Sequence, residues 1–110
     1  MIKAVIRRDS KGQIFEFEIK GHANYAQHGE DIVCAAVSAL SQTVIIGLCD
    51  YLNIKCDFKI DSGYLHCKLP FELDKQKRLQ ADAVLETMVL GIKNIKEGYP
   101  SFVKLYEKEV

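Results

Sequence analysis

The sequence predicts a two-layer α+β sandwich: elements in the order ββαββαβ, forming a mixed sheet with two helices packed on it. Three observations predict it. Two pairs of short segments alternate apolar and polar residues around turn-forming clusters, which is how hairpins are written in sequence. Two longer segments repeat apolar residues at helical spacing and need a layer to lie on. The 110 residues, 48% hydrophobic and 27% charged, suffice for one hydrophobic core but not for two, so residues 1–110 are read as a single domain.

In order along the chain, Ile2, Ala4 and Ile6 alternate with Lys3, Val5 and Arg7, giving a first strand. Asp9, Ser10, Lys11 and Gly12 make the turn, and Ile14, Phe15, Phe17 and Ile19, separated mostly by glutamates, give a second strand over 13–20. Gly21 ends it. The next ten residues have no period and form a loop. Asp31 fits the N-cap of a helix over 32–52, apolar nearly all round, which needs cover from the sheet and from a second helix or another subunit. Ser38, Ser41, Gln42, Thr43 and Asp50 interrupt its apolar run, which argues for a buried helix and against a membrane span. Strands over 56–60 and 64–69 flank the turn residues Asp61, Ser62 and Gly63. Asp74 then caps an amphipathic helix with Ala81, Val84, Leu85, Met88, Ile92 and Ile95 on its apolar face, ended by Gly98 with Pro100 just after. Residues 101–106 supply a last strand, and 107–110 a frayed tail.

Fifteen basic residues balance fifteen acidic ones, so no overall field draws the chain to nucleic acid or anionic lipid, and no direct nucleic-acid binding is expected. The opening MIKAVIRRD lacks the long apolar region of a signal peptide, and the expectation is a cytoplasmic protein. Without secretory context the four cysteines, Cys34, Cys49, Cys56 and Cys67, do not suggest a disulfide framework. There is no C-x-x-C pair, and the six-residue steps from His22 to His28 to Cys34 match no common zinc spacing, so neither metal nor cofactor is expected. Cys49, Cys56 and Cys67 read as small core or surface residues.

Cys34 is different because of where it falls. In the first turn of a helix a thiol, of ordinary pKa near ~8.5, faces backbone N–H groups and the positive end of the helix dipole, both of which favour the thiolate. Such a thiolate attacks an amide carbonyl, the same N–H groups stabilise the oxyanion, and an imidazolium protonates the leaving amine. His22 and His28, both in the preceding loop, compete for that role, while His66 lies in a strand and reads as exposed or hydrogen-bonded. Asp31 either orients the imidazole as a third member or only caps the helix. Ser38, one turn beyond Cys34, is a supporting candidate. Gly21 and Gly29 bound the loop and are read as hinges of a mobile lid.

The segment GHANYAQHGEDIVCAAVSAL, residues 21–40, resembles the signature of the bacterial ribosomal-processing cysteine protease family, as does the Tyr-Pro before the last strand. The resemblance implies a homodimer whose catalytic pair is His22 and Cys34, with Asp31 and Ser38 beside the cysteine and Gly21 at the loop hinge. It further implies a substrate: a large-subunit ribosomal protein precursor, cut after an aromatic pair to remove a short N-terminal extension. The rival reading is a non-catalytic ribosome- or RNA-associated module, weakened by zero net charge and by the lack of an aromatic-rich RNA-binding strand motif.

Overall fold

The computed structural model describes all 110 residues. Strands β1 (Ile2–Arg8), β2 (Ile14–Lys20), β3 (Asp57–Asp61), β4 (Tyr64–Lys68) and β5 (Val103–Glu109) form one sheet in the order β3-β4-β2-β1-β5. All pairings are antiparallel except β1 with β5, so the sheet is mixed, as predicted. Helices α1 (Ile32–Ile46) and α2 (Lys75–Gly98) make the second layer.

The period-two pattern sets which face of the sheet they cover. Ala4, Ile19 and Leu65 stand in register across β1, β2 and β4, as do Ile6, Phe17 and Cys67, and all six are buried. The opposite face keeps the charges: Arg7 reaches Glu16 and Glu18, His66 Nε2 lies 2.5 Å from Glu16, and the Tyr64 hydroxyl donates to Glu18 at 2.7 Å. His66 is thus a hydrogen-bonded strand residue. One irregularity sorts the apolar residues of β2. The register slips between Arg7 and Arg8, leaving Phe15 as an extra residue, so Ile14 and Phe17 both face the core although they are three apart.

In α1, Val33, Val37, Ser41, Val44 and Ile45 are buried, and the Ser41 hydroxyl donates to the Val37 carbonyl at 2.7 Å. The helix predicted over 32–52 is not uniform: after Ile46 it widens into a π-helical turn, Gly47–Tyr51, closed by Leu52 N–H on the Gly47 carbonyl. Taken together, Ile32–Tyr51 is long and apolar enough to cross a membrane, with mean hydropathy 2.1, yet its inward side is part of the domain core. Its cover is on one side only. Sheet and α2 bury the inward residues, while Ile32, Ala36, Ala39 and Ile46 face outward. Where the two helices meet, Gly91 faces Leu40 so closely that a Cβ there would lie 2.8 Å from Leu40 Cδ2.

The C-terminal residues differ from the expected frayed tail. β5 runs to Glu109, seven residues in parallel register with β1, and Arg8 holds Glu107 at 2.8 Å while gripping Glu86 of α2 with both terminal nitrogens. The pattern ended at Tyr106 because Glu107, Lys108 and Glu109 carry no apolar signal; backbone pairing and Arg8 order them instead.

Candidate active site

A cleft of about 590 Å³ opens at the end of the sheet where β2 runs into the loop before α1. One wall is α1, with Cys34, Val37 and Ser38; the other is the β3–β4 hairpin, with Ile60 of β3 and the turn residues Ser62 and Gly63. The loop residues His22, Asn24, His28 and Gly29 line it too. Every candidate named from sequence therefore falls on one cleft: Gly21, His22, Gly29, Asp31, Cys34 and Ser38.

Asp31 builds the start of α1. Its backbone is extended, and its Oδ1 accepts from the N–H groups of Val33 and Cys34 at 3.0 Å each. Its Oδ2 accepts from Tyr25 N–H at 2.9 Å and Ala26 N–H at 3.3 Å. Burial pushes the Asp31 carboxyl up, but those four N–H groups outweigh it and hold the group below the usual aspartate value. Neither imidazole bonds to it. Asp31 ties loop to helix and is not placed as a third member of a triad.

This corrects one expectation. Of the helix-start N–H groups expected to receive an oxyanion, three are already taken, Val33 and Cys34 by the cap carboxylate and Ala35 by the Asp31 carbonyl, which leaves Ile32 alone in the first turn. The donor that faces the sulfur comes from the loop: Ala23 N–H donates to Cys34 Sγ at 3.2 Å. Cys34 itself is half-buried, and Ala23 is buried beside it.

His22 is exposed, and its backbone is held from two sides. Gly21 N–H donates to the Gly63 carbonyl at 2.9 Å, and the Met1 nitrogen donates to the His22 carbonyl. Its ring lies on Gly63, where an added Cβ would come within 2.6 Å of Nε2; with φ of +68° as well, position 63 suits only glycine. No hydrogen bond joins the His22 or His28 ring to Cys34. Ser38 opens into the cleft one turn beyond the cysteine.

Two features had no sequence signal. Tyr25 packs edge-to-face on Tyr99, with ring centroids 5.4 Å apart, and on Phe102, 5.2 Å apart; three such distant positions cannot be paired from periodicity. The second is that Cys49, Cys56 and Cys67, read singly as core or surface, lie together. Cys67 is buried, and the neighbouring Cys56 thiol and burial push its own thiol far up, away from ionisation.

Comparison with known proteins places these features in context. Residues 1–104 match the family model described as cysteine protease Prp. The chain is 36% identical over 102 residues to the ribosomal processing cysteine protease Prp of Bacillus subtilis, covering 90% of each chain. A crystal structure of the essential ribosomal processing protease Prp of Staphylococcus aureus, with a covalently linked product peptide, superposes with a TM-score of 0.88 at 25% identity, covering 98% of this chain and 100% of that one. A Streptococcus mutans protein structure matches at 0.84 and 31% identity, over 100% of this chain and 96% of its own.

Proposed function

The chain belongs to the Prp family of cysteine proteases, and from that premise we propose that it removes the short N-terminal extension of a large-subunit ribosomal protein, cutting after an aromatic pair with Cys34 as nucleophile and His22 as its base. The observation that carries the proposal is the single cleft in which Cys34 Sγ meets the Ala23 N–H and which the His22 ring also lines.

In the proposed reaction, His22 takes the Cys34 proton and the thiolate attacks the scissile carbonyl, forming a C–S bond. The negative charge moves to the carbonyl oxygen. Ala23 N–H, already aimed at the sulfur, is the nearest donor for the charge, first on the sulfur and then on the adjacent oxyanion. The imidazolium protonates the leaving amine as the C–N bond breaks, and water attacks the thioester with His22 as base, restoring the thiol. The ring must swing from Gly63 toward the sulfur, which an exposed side chain on an anchored backbone does by rotation about its own bonds. The S. aureus relative with its covalently linked product peptide supports the covalent route. We also propose a cytoplasmic homodimer, whose partner covers the outward apolar side of α1.

The test is incubation with a peptide spanning the extension. Wild type cuts after the aromatic pair and Cys34→Ser does not. Binding by wild type with no cleavage would instead favour the non-catalytic ribosome-associated module.

A further inference from the structure

The loop that carries His22 and Ala23 has little of its own to hold it: residues 24–30 are all exposed and belong to no helix or strand. One side chain in it reaches a neighbour of large area. Tyr25, though 44% exposed, sets its ring at 85° to Tyr99 and at 79° to Phe102, centroids 5.4 and 5.2 Å away, within the range in which aromatic edges and faces attract. Tyr99 caps the C-terminus of α2, and Phe102 precedes β5 and gives its carbonyl to Ile2 N–H at 2.9 Å, so the platform under Tyr25 is part of the rigid scaffold. On its backbone side Tyr25 N–H is fixed to Asp31 Oδ2. Two residues upstream, Ala23 N–H meets the sulfur, and Asn24 between them takes the left-handed conformation with φ of 58°, a tight reversal that transmits the placement of Tyr25 to Ala23.

We infer that Tyr25 is a positioning residue for the thiol chemistry: its ring latches the active-site loop onto Tyr99 and Phe102 and thereby aims the Ala23 N–H at Cys34 Sγ. This rests on Cys34 being the nucleophile. It departs from a freely hinged lid, because the segment between Gly21 and Asp31 is tied at its middle. The hydroxyl of Tyr25 forms no hydrogen bond, so the ring alone carries the effect.

The experiment compares wild type with Tyr25→Ala and Tyr25→Phe, and with Phe102→Leu, which weakens the latch from the scaffold side. Two readouts are needed: the rate at which iodoacetamide labels Cys34 at neutral pH, followed by mass spectrometry, and kcat and KM on the extension peptide. Tyr25→Ala is expected to slow labelling about fivefold and to lower kcat about tenfold, equivalent to about 1.4 kcal/mol, with KM within about twofold. Phe102→Leu shifts both the same way by less, and Tyr25→Phe restores both. Wild-type labelling and kcat in Tyr25→Ala would overturn the inference, as would a Phe variant no better than Ala, or an effect confined to KM. If wild type leaves the peptide intact while labelling still follows the stated order, the substrate assignment fails and the positioning role stands.

Discussion

Each oxygen of the Asp31 carboxylate serves a different piece of chain, Oδ1 the first turn of α1 and Oδ2 the loop at Tyr25 and Ala26. Asp31→Asn separates the two: the amide oxygen still caps the helix, but the amide nitrogen cannot accept from the loop. The expected result is a modest loss of melting temperature and a loss of peptide turnover of about tenfold, in the range one mispositioned group costs. The pH dependence follows from the sign of the shift. The Asp31 carboxyl is held below its ordinary value, so its stabilisation is complete above the unfolded pKa of about 3.9 and is lost as pH falls through the lower folded value. The melting-temperature gap between wild type and Asp31→Asn is therefore full at neutral pH and closes in strong acid. Asp31 and Cys34 were legible in sequence because capping and first-turn position are local properties. That the same aspartate would take the Val33 and Cys34 N–H groups, two of those expected for the oxyanion, depends on side-chain direction, and that His22 would rest on Gly63 depends on a strand pairing forty residues away; neither is written in local spacing.

At the level of elements, the sequence order ββαββαβ was readable from alternation and helical period, and where it misled, a charge or an extra residue had replaced the apolar signal. Phe15 broke the parity of β2 through a bulge, and the charged end of β5 hid its length. Arg8 joins the two problems. It binds Glu86 of α2 through 2.6 and 2.9 Å contacts and Glu107 of β5 at 2.8 Å, and these hydrogen bonds hold both carboxyls below the ordinary glutamate value. Depressed carboxyls stabilise above their unfolded pKa, about 4.3, and cease to do so as pH falls through their folded values. Glu86 is close to half exposed, which screens the pairing, so Arg8→Met is expected to cost about 1 kcal/mol at neutral pH. Denaturant titration checks this: the difference between Arg8→Met and wild type should shrink below about pH 4, and a difference independent of pH would assign the cost to packing instead.

At the scale of the molecule, one face of the sheet is charged and bonded to itself, one is buried under helices, and the outward side of α1 is apolar with nothing on it. Ile32 and Ile46 are 55% and 58% exposed at opposite ends of that helix, with Ala36 and Ala39 exposed between them. The proposed homodimer, closing over α1, would cover that side and would account for the all-round apolarity of the sequence. Ile46→Glu would place a charge in the proposed contact and is expected to weaken self-association at least tenfold in sedimentation, while leaving the monomer fold intact because the side chain already faces solvent. A monomeric wild type at micromolar concentration would contradict the assignment.

The proposed mechanism requires a covalent bond to Cys34, formed in the cleft that His22 also lines. Rapid quenching of wild-type enzyme with an ester analogue of the extension peptide, followed by intact and peptide-level mass spectrometry, should find the acyl group on Cys34, absent in Cys34→Ser and formed far more slowly in His22→Ala. Turnover with no acyl adduct, or with the adduct on Cys49, Cys56 or Cys67, would contradict it.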